Sequence, residues 1–161
     1  IVGMSMGGAL ALYLASLFPV KRVVVCATVI YFADQKKLQW LNPITKYFYK
    51  SVPKIKRYDK KIRDNMIFHG YFYYPLVALN EFFKMAKIIK KRLNKISAPL
   101  LILFSERDLT SLKINVDIIY NGVKSKEKLI KGYSNVSHAM LTKSEDQKLI
   151  FNDIYKFLNN K

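Results

Sequence analysis

The chain has 161 residues, with 28 Lys and Arg against 11 Asp and Glu, which gives a formal net charge of +17. Hydrophobic residues make up 51% of the chain, so the composition excludes intrinsic disorder and favours one globular domain with a packed core. The single cysteine excludes a disulfide scaffold, and no apolar run approaches the roughly 20 residues that a membrane-spanning helix needs.

The predicted elements begin with a strand that is already ending at residues 1–2. A segment rich in glycine follows at 3–8, and the apolar residues 9–17 predict a buried helix. The valine-rich run 23–27 predicts a second buried strand. Because the sequence opens inside an element, we expect it to be the C-terminal part of a longer one, with its first strands missing.

Residues 33–92 differ from the rest of the chain in composition. They hold 15 Lys and Arg against 4 Asp and Glu, and 12 of the 22 aromatic residues. Their apolar residues recur mostly at helical spacing, which predicts several helices separated by prolines. The aromatic run 68–74 has two compatible interpretations: ordinary packing between helices, or the wall of an apolar pocket.

A regular alternation of strand and helix resumes after this insertion. The predicted elements are strands 100–104 and 127–133, helices 112–120 and 146–158, and polar loops 105–110 and 134–138. Asn121 and Gly122 are expected to cap the first of these helices. The fold class is therefore α/β: a parallel, doubly wound sheet formed by 1–32 and 93–161, with an inserted helical domain at 33–92.

The motif Gly3-x-Ser5-x-Gly7 stands between the first strand and the first helix. A serine nucleophile must stand on a sharp turn with strained backbone angles, so its neighbours two positions away are expected to lack side chains. The turn leaves Ser5 at a helix N-terminus, where free N–H groups and the helix dipole favour developing negative charge. Ser5 is therefore the predicted nucleophile, and the backbone N–H of Met6 is one predicted donor of an oxyanion hole.

A serine nucleophile needs a base, and the base needs a carboxylate that orients it. Asp108 and His138 lie in loops that follow predicted strands, and such loops line the site in open α/β sheets. The chain order Ser5, Asp108, His138 is the order that this topology requires for a catalytic triad. Glu106 and Asp117 are the alternative acids, although Asp108 has the better position in its loop.

Metal and cofactor binding find no support in the residue types. His69 and His138 are isolated from each other in the sequence, and Cys26 lies in a predicted buried strand, so they form no ligand set. His69 is expected to pack beside the aromatic run rather than to act as a ligand or base, and Cys26 to be a small core residue. We therefore expect neither a metal nor a cofactor.

The positive charge of the insertion could follow the phosphates of a nucleic acid or an anionic membrane surface. Lysine and arginine cluster at 36–37, 54–57, 60–61 and 90–92. A solvated surface that reflects a Lys-rich composition is the simpler interpretation, and no nucleic-acid-binding module is recognisable. We expect no nucleic-acid partner and, at most, peripheral contact with anionic lipid.

The sequence resembles the α/β-hydrolases, and more closely the small bacterial carboxylesterases and monoacylglycerol lipases that carry a short helical cap. The resemblance is carried by Gly3-Met4-Ser5-Met6-Gly7-Gly8, by Ala98-Pro99-Leu100 through Asp108, by Ser137-His138, and by the segments 118–121 and 153–158. It implies that Ser5 is the nucleophile, that His138 is the general base and then acid, and that Asp108 orients it. It also implies that 33–92 is the cap over an acyl pocket.

The activity implied by this resemblance is the hydrolysis of short- or medium-chain carboxylic esters or monoacylglycerols through an acyl-enzyme, without a cofactor. A cytoplasmic location is a separate expectation. A thioesterase or an acyltransferase with the same triad is the alternative, as is an inactive piece whose basic surface binds anionic lipid or nucleic acid. Members of the family often have a glycine where Ser105 stands.

Family members also have strands and a His-Gly loop, which supplies a second oxyanion donor, before the serine motif. His69-Gly70 is not that loop, because it follows the nucleophile. We therefore expect the 161-residue chain alone to be poorly soluble and nearly inactive, since its sheet has an unpaired apolar flank and one donor is missing.

Overall fold

The structure is a computed structural model that describes residues 1–31, 51–53, 73–142 and 146–160. The chain divides into two compact units, Ile1–Ala33 with Ala86–Lys161, and Asp34–Met85. Most of the predicted cap at 33–92 lies outside the described residues, as do His69, the aromatic residues 68–72 and the basic clusters at 36–37, 54–57 and 60–61. That the insertion covers an acyl pocket stays a prediction.

The described elements alternate between strand and helix in the first unit. The strands are β1 Val2–Met4, β2 Val23–Cys26, β3 Ser51–Pro53, β4 Tyr73–Pro75, β5 Leu100–Ser105 and β6 Lys128–Tyr133. The helices are α1 Met6–Ala15, α2 Leu76–Arg92, α3 Ile114–Gly122 and α4 Gln147–Asn159, with a 3₁₀ turn at Leu93–Lys95. Strands β1, β2, β5 and β6 form one parallel sheet in that order. The predicted α/β fold with a parallel sheet is confirmed.

The central strands β2 and β5 are buried because their apolar side chains are covered on both faces of the sheet. Helix α4 covers one face and packs against alternate residues of the two strands, among them Val24 and Leu101. Helix α1 packs on β1 and β2, and α3 packs on β5. Since side chains alternate along a strand, the residues between those facing α4 point to the opposite face, and the sheet is doubly wound.

Two predicted boundaries near the serine motif were wrong. Strand β1 continues to Met4, which pairs with Cys26, rather than ending at residue 2. Helix α1 begins at Met6 rather than at Ala9, so it includes Gly7 and Gly8, which were predicted to precede the helix. The reversal between strand and helix therefore takes a single residue, Ser5.

The end of α3 also differs from its prediction, because the helix continues through Gly122 and its C-cap is Val123 in an extended conformation. Gly122 instead serves close packing: a Cβ built on it would lie 2.6 Å from Cδ1 of Leu93.

The insertion contains strands where the sequence analysis predicted helices. β3 and β4 pair antiparallel, with Val52 opposite Tyr74. β-branched and aromatic residues favour strands, and proline is tolerated where both strands of a pair are edges, as at Pro53 and Pro75. Helix α2 agrees with its predicted spacing, and its buried residues recur at helical intervals: Leu76, Leu79, Phe83, Ala86 and Ile89.

Two side chains of the first unit fix residues that border the insertion. Asn115 is almost fully buried, and its Oδ1 accepts hydrogen bonds from the backbone N–H groups of Ile30 at 2.8 Å and Tyr31 at 2.7 Å. At the other border, Arg92 donates from Nε to the Ser16 hydroxyl at 3.0 Å and from its guanidinium to the Ser16 carbonyl at 3.1 Å. The chain is therefore fixed on either side of the insertion by hydrogen bonds within the first unit.

A buried carboxylate joins β6 to α4. Asp153 accepts hydrogen bonds from Tyr133 Oη at 2.7 Å and from Lys131 Nζ at 2.6 Å. Burial alone would raise the pKa of Asp153, but these hydrogen bonds and the charges of Lys131 and Lys156 outweigh it and lower that pKa. Burial and the bond to Asp153 raise the pKa of Tyr133. The hydrogen bond that the Tyr133 phenol donates to Asp153 holds the end of β6 on the helix.

Candidate active site

Ser5 occupies the turn between β1 and α1 with a strained backbone. Its φ is 55° and its ψ is −121°, a conformation that non-glycine residues rarely adopt. Hydrogen bonds on both sides fix it there. Its N–H donates to the carbonyl of Cys26 at 2.8 Å, and its own carbonyl accepts from the N–H groups of Gly8 at 3.1 Å and Ala9 at 3.3 Å. The turn thus belongs to the sheet on one side and to the helix on the other.

The glycines around Ser5 have unequal roles. A Cβ on Gly3 would lie 2.3 Å from the carbonyl oxygen of Gly7, so Gly3 cannot carry a side chain. A Cβ on Gly7 would meet nothing within 4 Å, so the prediction that both flanking glycines must lack side chains was wrong for Gly7. A Cβ on Gly8 would lie 1.9 Å from Oγ1 of Thr28, which makes Gly8 a packing requirement. The sequence pattern does not indicate this role for Gly8, although Gly7 and Gly8 stand together as a double glycine.

We expect the three glycine-to-alanine variants to differ in stability in the order that these contacts set. Gly3→Ala should lower the free energy of unfolding by more than about 3 kcal/mol, because neither side of its clash has a side chain that can rotate away. Gly8→Ala should cost about 1–3 kcal/mol, since Thr28 can move in part. Gly7→Ala should leave the unfolding midpoint almost unchanged. Thermal unfolding of the three variants checks the order, and a Gly7→Ala variant as unstable as Gly3→Ala would contradict it.

The three residues of the predicted triad lie together in one hydrogen-bonded chain. His138 Nε2 is 2.8 Å from Ser5 Oγ, and His138 Nδ1 is 2.7 Å from Asp108 Oδ2. A carboxylate can only accept, so Nδ1 carries the proton and Nε2 accepts from the serine hydroxyl. The imidazole is therefore held in the tautomer that can remove a proton from Ser5. The His138 side chain is 27% exposed, whereas the Asp108 side chain is 0% exposed.

The buried carboxylate of Asp108 is oriented by its own loop. Its Oδ1 accepts hydrogen bonds from the backbone N–H groups of Thr110 at 2.7 Å and Ser111 at 2.9 Å, which leaves Oδ2 for the imidazole. The two alternative acids, Glu106 and Asp117, are both exposed. Of the three acids, the structure brings Asp108 to His138.

The first backbone N–H group of α1 belongs to Met6, the residue directly after Ser5. Met6 is the first residue of the helix, so its N–H has no carbonyl four residues earlier in the helix to bond with. This N–H lies at the positive end of the helix dipole, next to the Ser5 hydroxyl in the chain. The position predicted for one oxyanion donor is thus at a helix N-terminus, as such a donor requires.

Other reactive groups near the site are inert or isolated. Cys26, whose carbonyl accepts from Ser5, is fully buried, and burial raises the pKa of its thiol to about 12. The thiol therefore stays protonated and does not compete as a nucleophile.

Across the described part of the chain, no group of three or more His, Cys, Asp or Glu residues could hold a metal ion. Among the helices that the structure describes, none is long and apolar enough to span a membrane.

The fold and the site together define a class of protein. A parallel, doubly wound sheet with a serine on a strained strand-to-helix turn, and with an acid and a histidine in later loops, is the arrangement of the α/β-hydrolases. The chain belongs to the Hydrolase_4 family, described as serine aminopeptidase, S33, whose model matches residues 1–145.

Solved structures share this fold at low sequence identity. A structure from work on LipS and LipT, two metagenome-derived lipolytic enzymes, has a TM-score of 0.81 and 24% identity over 99% of this chain and 64% of that one. The monoacylglycerol lipase of Paleococcus ferrophilus has a TM-score of 0.74 and 16% identity over 98% of this chain and 66% of that one.

A soluble variant of monoglyceride lipase from Saccharomyces cerevisiae, in complex with a substrate analog, is similar with a TM-score of 0.73 and 17% identity. The match covers 98% of this chain and 60% of that one. The chain thus spans less than two thirds of the length of each of these three proteins.

Proposed function

We propose that this chain carries the catalytic triad of a carboxylic ester hydrolase, with Ser5 as nucleophile, His138 as general base and acid, and Asp108 as the orienting carboxylate. The observation that carries the proposal is the continuous chain of hydrogen bonds from Asp108 through both ring nitrogens of His138 to the Ser5 hydroxyl. Nucleophile, base and orienting acid within hydrogen-bond reach of one another are the signature of covalent catalysis by serine.

In the first half-reaction, Ser5 Oγ attacks the carbonyl carbon of the ester while His138 Nε2 takes the hydroxyl proton. The carbonyl oxygen becomes an oxyanion, which the N–H of Met6 stabilises. His138 then gives its proton to the leaving alkoxide, the carbon–oxygen bond to the alcohol breaks, and the acyl group remains on Ser5. Asp108 stabilises the imidazolium that exists between these two proton transfers.

In the second half-reaction, water replaces the alcohol. His138 Nε2 takes a proton from water as its oxygen attacks the acyl-enzyme, and the second tetrahedral intermediate uses the same Met6 N–H. Collapse of this intermediate returns the proton to Ser5 Oγ and releases the carboxylic acid. No metal or cofactor takes part in the proposed cycle.

Exposed apolar residues that directly follow two members of the triad in the chain favour an apolar acyl group. Met6 follows the nucleophile and is 55% exposed, and Leu109 follows the acid and is 58% exposed. Exposed apolar residues next to polar catalytic groups are typical of sites for partly apolar ligands. Two of the structural neighbours are monoacylglycerol or monoglyceride lipases, and a third comes from work on lipolytic enzymes. Short- to medium-chain esters and monoacylglycerols are therefore the proposed substrates.

Cleavage of amino-terminal residues from peptides is the second candidate, because the matching family is described as serine aminopeptidase. An aminopeptidase must receive a substrate with a cationic amino group, and a net charge of +17 opposes its approach. The same charge attracts the protein to an anionic membrane surface, where lipid-derived esters are found. This difference favours the ester over the peptide.

A substrate panel on the full-length protein tests the proposal. The panel consists of p-nitrophenyl esters of short, medium and long acyl chains, a monoacylglycerol, an acyl thioester and an aminoacyl p-nitroanilide. We expect kcat/KM for the best ester to exceed that for the anilide and the thioester by at least about tenfold. A preference for the anilide would make the protein an aminopeptidase. A preference for the thioester would make it a thioesterase, and transfer of the acyl group to an added alcohol in place of hydrolysis would make it an acyltransferase.

The proposed peripheral partner is an anionic membrane, with no nucleic acid bound. Because of its positive charge, the protein should bind vesicles that contain anionic lipid at low ionic strength and release them as salt rises. Tight DNA binding at physiological salt with a steep salt dependence, and no vesicle binding, would contradict this assignment. A cytoplasmic location stays a prediction of the sequence.

A further inference from the structure

The loops that carry Asp108 and His138 leave the sheet at neighbouring points. Ser105 is the last residue of β5 and pairs with Tyr133, the last residue of β6. The backbone bond from the N–H of Glu106 to the carbonyl of Tyr133, at 3.1 Å, lies just past this pair. Beyond this bond the two segments are no longer paired as strands. The loop that carries Asp108 (the acid loop) and the loop that carries His138 (the base loop) therefore need another connection to keep a fixed spacing.

The hydroxyl of Ser105 provides such a connection. It donates a short hydrogen bond to the carbonyl of Val136, in the base loop, and accepts one from the N–H of Arg107, in the acid loop, at 3.1 Å. The Ser105 carbonyl also accepts from the N–H of Asp108 at 3.3 Å. One residue therefore holds the turn that leads into the acid and binds the segment that leads into the base.

Both ends of this cross-link are shielded from water. Ser105 is 4% exposed and Val136 is 2% exposed. A buried carbonyl that loses its donor keeps the full cost of its desolvation, so the Val136 carbonyl would shift towards a new partner if the hydroxyl were removed. Val136 is two residues before His138, so such a shift would be passed to the imidazole.

We propose that Ser105 is a positioning residue of the catalytic site, which cross-links the acid and base loops and so fixes His138 between Asp108 and Ser5. This inference rests on the proposed function of the triad. The Ser105 hydroxyl bonds Val136 and Arg107 rather than a member of the triad, so its role is one of positioning. Its effect is geometric, because a displacement of about 1 Å in a catalytic group can cost about 10²-fold in rate.

The chain offers a matched control at the other end of the sheet. Ser125 is also 4% exposed, and its hydroxyl also donates a short hydrogen bond to a backbone carbonyl, that of Ala98. These residues precede β6 and β5, whereas the triad loops follow those strands. Ser125→Ala therefore removes a similarly short but only partly buried hydrogen bond without touching either catalytic loop.

The test compares the steady-state kinetics of Ser105→Ala, Ser105→Cys and Ser125→Ala in the full-length protein with the best ester. Ser105→Ala should lower kcat by about 10- to 100-fold with KM changed less than about twofold, because positioning and not binding is lost. Ser105→Cys nearly keeps the volume and has a weak donor, so its kcat should be intermediate. Ser125→Ala should keep the wild-type kcat. Equal losses in Ser105→Ala and Ser125→Ala, or wild-type kcat in both Ser105 variants, would overturn the proposal.

A second measurement needs no turnover. The proton on His138 Nδ1, bound to the Asp108 carboxylate, should give a resonance at low field in the proton NMR spectrum. We expect this resonance to shift or broaden in both Ser105 variants and to be unchanged in Ser125→Ala. An unchanged resonance in the Ser105 variants overturns the positioning role. If the wild-type protein shows this resonance but hydrolyses no ester, the proposed function has failed, and the NMR comparison still decides the role of Ser105.

Discussion

Replacing Ser5 with alanine should lower the ester hydrolysis rate of the full-length protein by about 10⁴- to 10⁶-fold. The hydroxyl is the group that becomes acylated, and no other side chain of the described residues is bonded to His138 Nε2. The fold should be retained, because Ser5 is fixed in its turn by backbone bonds to Cys26, Gly8 and Ala9 that the variant keeps. Steady-state kinetics together with a thermal unfolding curve measure both effects.

Ser125→Ala is the control for this prediction, since it removes a serine hydroxyl from the same fold far along the strands from the triad. The control should hydrolyse esters at the wild-type rate. If Ser5→Ala retained activity within tenfold of the wild type, Ser5 would not be the nucleophile and the acyl-enzyme mechanism would be wrong.

Asp108→Asn should lower kcat by about 10⁴-fold, although the substitution hardly changes the volume of the side chain. An asparagine amide can donate to His138 Nδ1. The ring proton then lies on Nε2, where it faces Ser5. The imidazole then cannot accept the hydroxyl proton, and the imidazolium loses its buried counter-charge. The backbone bonds from Thr110 and Ser111 can still reach the side-chain oxygen at this position, so the loop should keep its conformation.

Glu106→Gln is the matched control, because it neutralises an acid of the same loop that is exposed to solvent. It should change kcat by less than about twofold. A larger loss in Glu106→Gln than in Asp108→Asn would transfer the role of the acid to Glu106.

The sequence alone predicted the features that depend on local pattern. Buried apolar runs predicted the central strands, and their alternation with helices predicted the parallel α/β sheet. The order of Ser5, Asp108 and His138 predicted which loops would meet, because the topology sends all three to the carboxyl ends of strands. The structure brings these three residues together as hydrogen-bonded partners.

The features that the sequence did not predict depend on contacts between distant segments. Gly8 is required by Thr28, which lies 20 positions further along and has no motif that marks it. The strands β3 and β4 stabilise each other across a long separation, which helical spacing within each segment does not reveal. Ser105 looked like an exchange in a loop where glycine is common, yet its hydroxyl is buried and bonded to both catalytic loops.

The most direct test of the triad is the site at which a fluorophosphonate probe reacts with the full-length protein. Such a probe bonds to a serine that is activated as a nucleophile, so mass spectrometry of the digested adduct identifies the residue. We expect one modified peptide with the probe on Ser5, and a labelling rate that falls by several orders of magnitude in His138→Ala. A probe attached to another residue, or labelling of Ser5 at an unchanged rate without His138, would contradict it.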